Sequence, residues 1–90
     1  GSPLVGNAAY WLGLTYFAMG DHKNAVVAQQ HVIKEFPQHA KVPDAMVNKA
    51  RALIQLGETE EARKTLNDVI RSYPDSRSAE LSKKILSLFK

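Results

Sequence analysis

The sequence contains no cysteine, which excludes disulfides, thiolate metal sites and thiol catalysis together and leaves the redox compartment open. It has no apolar run approaching the roughly 20 residues that a bilayer-spanning helix needs. A Gly-x-Ser-x-Gly elbow is also absent, and Ser72, Ser76 and Ser78 fall in a turn region where capping accounts for them. Gly6, Gly13, Gly20 and Gly57 are scattered, each with a loop, packing or C-cap role, so no glycine-rich loop cradles a phosphate. His22, His31 and His39 lack the four-residue helical spacing of a metal site, so neither metal nor cofactor is expected. No alternating strand pattern and no low-complexity linker interrupt the chain.

Charge is modest as well. Twelve Lys and Arg against nine Asp and Glu leave a net charge of +3. The cations are dispersed among acids rather than gathered into a stripe, which argues against a nucleic-acid partner. The densest basic stretch, Arg77 to Lys90 with Lys83, Lys84 and Lys90, is opposed only by Glu80 and reads as a solvated helix face. Ninety residues make one small domain with a modest core. Gly1-Ser2 has the form of an expression-tag remnant, so any signal peptide or lipid anchor is expected to lie outside this sequence.

What is present is a repeat. Asn7-Ala8 returns as Asp44-Ala45, a displacement of 37 residues. The same displacement carries Gly20 onto Gly57, Ala25 onto Ala62, Val32-Ile33 onto Val69-Ile70, and Phe36-Pro37 onto Tyr73-Pro74. Such a period marks stacked helical units, none of which buries its apolar face alone.

The punctuation sets the helices. Asn7 to Met19 is uncharged and ends at Gly20-Asp21, a C-cap glycine followed by an N-cap aspartate. His22 to Phe36 places Ala25, Ala28, Val32 and Phe36 at helical spacing and stops at Pro37. A third helix starts near Pro43 and runs to Leu56 before Gly57. A fourth opens near Thr59, where Glu60 and Glu61 suit the positive end of the helix dipole, and closes at Pro74. Ser76 then caps an amphipathic helix reaching Lys90. The expected architecture is all-α: repeat one over 6–38, repeat two over 43–75 and a capping helix over 76–90.

Leu12-Gly13, Tyr16, Gly20-Asp21, Ala25 and Pro37, followed by Ala50, Leu53, Gly57, Ala62, Leu66 and Pro74, resemble the signature of the tetratricopeptide repeat. The resemblance implies an α-solenoid in which Gly13 faces Ala25 and Ala50 faces Ala62, with Tyr16 and Leu53 filling the adjoining space. Three departures stand out: Gln29 replaces the usual aromatic, Lys49 replaces the usual leucine, and the period exceeds the usual ~34 residues. A chaperone-tail clamp is not expected. Of its residues only Asn48 matches, Trp11 occupies one of the other positions, and Leu81 and Ile85 stand where cations are required.

Asn7-Ala8-Ala9-Tyr10-Trp11-Leu12-Gly13, then Lys41-Val42-Pro43-Asp44-Ala45-Met46, and Tyr73 to Ser76 are similar to the C-terminal domain of the CpoB (YbgF) family. The similarity runs from Gly6 to Lys90. It implies a periplasmic, non-enzymatic adaptor of the Tol-Pal system in cell division, with TolA or a peptidoglycan synthase as protein partner. The family normally carries an earlier hairpin and an N-terminal coiled coil. The alternative is a structural repeat domain of another envelope assembly factor.

In a stacked array the first helix of each hairpin lines the concave surface. That makes Asn7, Tyr10, Leu14 and Phe17, with Trp11 at the margin, one half of the expected partner groove. Asp44, Val47, Arg51 and Ile54, flanked by Asn48 and Gln55, make the other. Aromatic and aliphatic area with a few polar groups suits an amphipathic helix or extended peptide. Tyr10 and Trp11 equally suit packing against a neighbouring hairpin, and an uncovered first helix predicts self-association.

Overall fold

The computed structural model describes residues 3–89, with side chains from residue 5; Gly1-Ser2 and Lys90 lie outside the described residues. Five helices follow one another: α1 (Pro3–Ala18), α2 (His22–Glu35), α3 (Val42–Gln55), α4 (Thr59–Ser72) and α5 (Arg77–Ser87). No strand occurs among the described residues. The first helix starts at Pro3, four residues before Asn7, because a proline in the first turn gives up an amide hydrogen that has no intrahelical partner there.

The two hairpins are congruent. Gly20 and Gly57 take φ of +80° and +81°, a left-handed turn that any side chain would strain. Asp21 and Glu58 occupy the same N-cap position, but only Asp21 folds its carboxylate back, accepting from the Asn24 amide at 3.3 Å. At the far ends Phe36 and Tyr73 adopt φ of −130° and −133°, each donating its amide to the carbonyl four residues back. Ser76 caps α5 by accepting from the Ala79 amide at 3.0 Å.

Consecutive helices pack, and two further contacts define the shape: α1 touches α3, and α3 touches α5. Helices α2 and α4 do not meet. The first-position helices are therefore crowded together while the second-position helices splay apart, which curves the array around α1, α3 and α5. The core is continuous through α3. Val42 and Ala45 pack with Tyr10 and Val32; Ala50 and Leu53 with Ala62 and Leu66; Val47 with Val69 and Ala79.

Small residues set the close approaches, with one change from the expected pairing. Ala50 and Ala62 share a fully buried cluster. At Gly13, however, it is Gln29 rather than Ala25 that fills the space: a Cβ there would lie 2.3 Å from Gln29 Nε2. The two hairpins thus solve one crossing with different pairs, Gly13 with Gln29 and Ala50 with Leu66. Leu53 is buried beside its pair as expected, whereas Tyr16 is half-buried.

Candidate functional site

Three contacts on successive turns of α3 bind the first-position helices into one wall. Ser78 on α5 donates its hydroxyl to Asp44 Oδ1 at 2.5 Å, Asn48 donates its amide to the Tyr10 hydroxyl at 3.3 Å, and the Arg51 guanidinium lies over the Phe17 ring, 5.3 Å from its centroid. Positions 44, 48 and 51 share a helix face because four- and three-residue steps nearly complete a turn. That face, flanked by α1 and α5, is the inner surface of the array.

The expected groove residues divide by burial. Trp11, Arg51 and Gln55 are exposed; Asn7, Leu14, Phe17, Asp44, Asn48 and Ile54 are half-buried. Tyr10 and Val47 are buried, at 8% and 2% exposure. Both were expected to meet a partner, and both are core instead. The Tyr10 ring packs on Val32, Val42 and Ala45 with Lys41 above it, and Val47 is enclosed by Val69 and Ala79. A helix that is apolar almost all round gives no pattern that separates its wall from its core, and this hid the distinction.

Two wall residues were left out of the expected groove. Leu81 and Leu88, one period beyond Asp44 and Arg51, are 42% and 75% exposed on α5. Treating α5 as a cap obscured that it continues the wall. The repeat itself carries the signal, since Ala79 and Ser82 are buried as Val42 and Ala45 are.

The wall combines aliphatic area from Leu14, Ile54, Leu81 and Leu88 with the Phe17 face, the Arg51 cation and the Asn48 and Gln55 amides. A cation–ring contact consumes none of the guanidinium N–H donors, so exposed Arg51 can still meet an acceptor. Asp44 accepts from Ser78 but keeps its charge, so the wall offers apolar area with a cation at Arg51 and an anion two turns away. The Arg51 end of the inner surface therefore suits a segment with aliphatic anchors and an acidic group.

The histidines do not form a site. His31 is exposed, while His22 and His39 are half-buried rather than on the open surface. His22 meets the Phe17 ring edge-on at 4.9 Å, and the His39 ring occupies the space that Gly6 leaves free. No group of three His, Asp or Glu able to hold a metal gathers among the described residues. No helix among them is long and apolar enough to cross a membrane.

Congruent hairpins, glycine-terminated first helices and an inner wall built from first-position helices define a helical-repeat protein. The tetratricopeptide repeat family matches this chain over residues 16–85, and the chain belongs to that family. A search among curated proteins returned no match. Tetratricopeptide repeats generally mediate protein–protein contacts and are typically non-enzymatic.

Proposed function

We propose that this domain is the partner-binding module of a periplasmic Tol-Pal-associated coordinator of cell division, and that its inner wall grips a segment of TolA or of a peptidoglycan synthase. The observation that carries a groove is the Arg51–Phe17 stack: an exposed cation held over an aromatic face, on the same wall as the exposed Leu81 and Leu88 of α5. What supports the family assignment is the Asn7–Gly13 stretch and Pro43-Asp44-Ala45, together with Tyr73 to Ser76, where Ser76 is the N-cap of α5.

The test is calorimetric titration of the domain with the soluble part of TolA, and separately with the periplasmic part of a peptidoglycan synthase. Arg51→Glu reverses the wall's cation at an exposed position and is expected to weaken binding at least tenfold while the folded spectrum stays unchanged. Equal affinities for the wild type and Arg51→Glu would refute the groove. Absence of binding to either protein would refute the Tol-Pal assignment while leaving the groove itself standing.

A second reading, a structural repeat of another envelope assembly factor, draws on the exposed apolar end of the array at α1. It predicts a partner that buries Leu12 and Val27 and leaves Arg51 unchanged.

A further inference from the structure

The inner wall holds two charges that the fold positions and leaves unpaired. Asp44 and Arg51 stand seven residues apart on α3, which is two turns and about 10 Å along one face. Each is held from a different side: the Asp44 carboxylate accepts the Ser78 hydroxyl of α5 at 2.5 Å, and the Arg51 guanidinium lies over the Phe17 ring of α1. Both restraints are neutral, so neither charge is cancelled. Among the described residues neither group joins an ion pair, whereas Lys49, Arg63, Arg71 and Lys83 each do. Two turns also put Asp44 and Arg51 out of each other's reach.

Aliphatic side chains repeat at the same interval beside them. Leu81 and Leu88 on α5 stand one period beyond Asp44 and Arg51, and Leu14 on α1 stands one period before Arg51. Leu81 and Leu88 are exposed and Leu14 is half-buried. The wall therefore offers an anion and a cation two turns apart, with a leucine rail on the α5 side in the same two-turn step.

A segment lying on this wall must satisfy its own backbone. Between the two charges the polar side chain on this face is Asn48, whose amide already donates to the Tyr10 hydroxyl at 3.3 Å, and beyond Arg51 it is Gln55. An extended strand would leave amides and carbonyls without partners where it meets the leucines, which is costly. A helix bonds its own backbone and nearly repeats a face every seven residues, the interval at which the wall repeats.

Direction follows from charge. An acid on the incoming helix meets Arg51 and a base meets Asp44. In a helix antiparallel to α3 the acid comes first and the base seven residues later, so each charge lies toward the end of the helix dipole that favours it. A parallel helix needs the opposite order, with both charges toward the unfavourable ends and the two dipoles aligned side by side.

We propose that the inner wall is a dipolar groove for an amphipathic helix of a partner protein. The helix binds antiparallel to α3, with an acidic residue on Arg51, a basic residue seven positions later on Asp44, and aliphatic side chains toward Leu81 and Leu88. This rests on the reading of the inner wall as the partner groove and adds the conformation, charge order and direction of what it holds.

Two synthetic peptides of about 18 residues, built from Ala, Leu and Gln with blocked ends, test this by calorimetric titration into the domain. Each carries one Glu and one Lys seven positions apart, and they differ only in which comes first. The Glu-first peptide is expected to bind at least about threefold more tightly, to gain helical circular dichroism on binding, and to lose its advantage as salt rises. A Glu-first peptide is also the better helix in isolation, so the deciding comparison is the exchanged pair Asp44→Lys with Arg51→Glu. That double variant is expected to prefer the Lys-first peptide, a reversal that helicity alone does not produce. Asp44→Asn with Arg51→Gln keeps an acceptor for Ser78 and is expected to cut the wild-type preference at least twofold with the fold unchanged, which decides the matter if the exchanged pair does not fold. Equal binding of the two peptides, a wild-type preference for Lys first, a preference untouched by the variants, no gain of helix, or failure of both peptides to bind would overturn the proposal. Each of these outcomes leaves the groove itself to the titrations with TolA and the synthase, where sensitivity to Arg51→Glu would keep the groove and discard only this charge order.

Discussion

The Gln29 side-chain amide donates to the Tyr10 carbonyl at 3.1 Å, passing through the gap that Gly13 leaves between α1 and α2. Gln29 is 1% exposed and its Oε1 has no partner, so the first hairpin holds a half-satisfied buried amide where the second has Leu66. A buried acceptor left unpaired costs about 1–3 kcal/mol. Gln29→Leu is therefore expected to be neutral or to stabilise by about 1 kcal/mol in urea denaturation.

The same pair predicts strong coupling. Gly13→Ala improves helix propensity by about 1 kcal/mol, yet its Cβ would displace Gln29 from the Tyr10 carbonyl. We expect net destabilisation of about 1–2 kcal/mol. Gly13→Ala combined with Gln29→Leu recreates the Ala50–Leu66 arrangement, and the double-mutant cycle should return much of that loss. Additive effects would show that the two residues do not share the crossing.

Tyr10 separates packing from hydrogen bonding. Tyr10→Ala removes a buried ring from the cluster of Val32, Val42 and Ala45 and should cost about 3–5 kcal/mol, enough to threaten the fold of a small domain. Tyr10→Phe keeps the ring and forfeits only the 3.3 Å bond from Asn48, a loss of about 1 kcal/mol or less. Thermal unfolding of the two variants distinguishes them.

The caps are unequal and therefore improvable. Glu58 makes no side-chain cap bond at the place where Asp21 does, because its longer side chain does not fold back onto the first turn. Glu58→Asp should stabilise by about 0.5–1 kcal/mol and raise the melting temperature by a few degrees. Ser76→Ala should lower stability by about 1 kcal/mol through loss of the bond from the Ala79 amide.

Leu81 tests how far the inner wall extends. It is 42% exposed, so Leu81→Glu should change stability by no more than about 0.5 kcal/mol. In titrations with a protein that binds at Arg51, the same substitution should weaken binding several-fold, because it places an acid where an aliphatic anchor sits.

Most of the fold was legible because glycine, proline and short polar side chains act locally. Gly20, Gly57, Pro37, Pro74 and Ser76 end or start helices through their own backbone constraints, and the period supplied the stacking. The inner wall was legible only in part. Tyr10 and Val47 have the polarity of wall residues and the position of core residues, a difference set by neighbours distant in sequence. Gln29 was visible as a departure, but its role depends on Gly13, sixteen residues earlier. Leu81 and Leu88 were hidden by reading α5 as an end rather than as a continuation.

Helix α3 alone touches each of the other four helices, whereas α1 and α5 meet only two apiece. Unravelling from either terminus can therefore proceed a helix at a time until it reaches this hub, beyond which only one pair remains in contact, α1 with α2 or α4 with α5. Backbone amides of residues 45–53 should exchange with deuterium most slowly, at the rate of global opening, and those of the terminal helices much sooner. A ligand lying along the hub would thus draw on the most persistent segment of the chain, while its edges rest on the parts that loosen first.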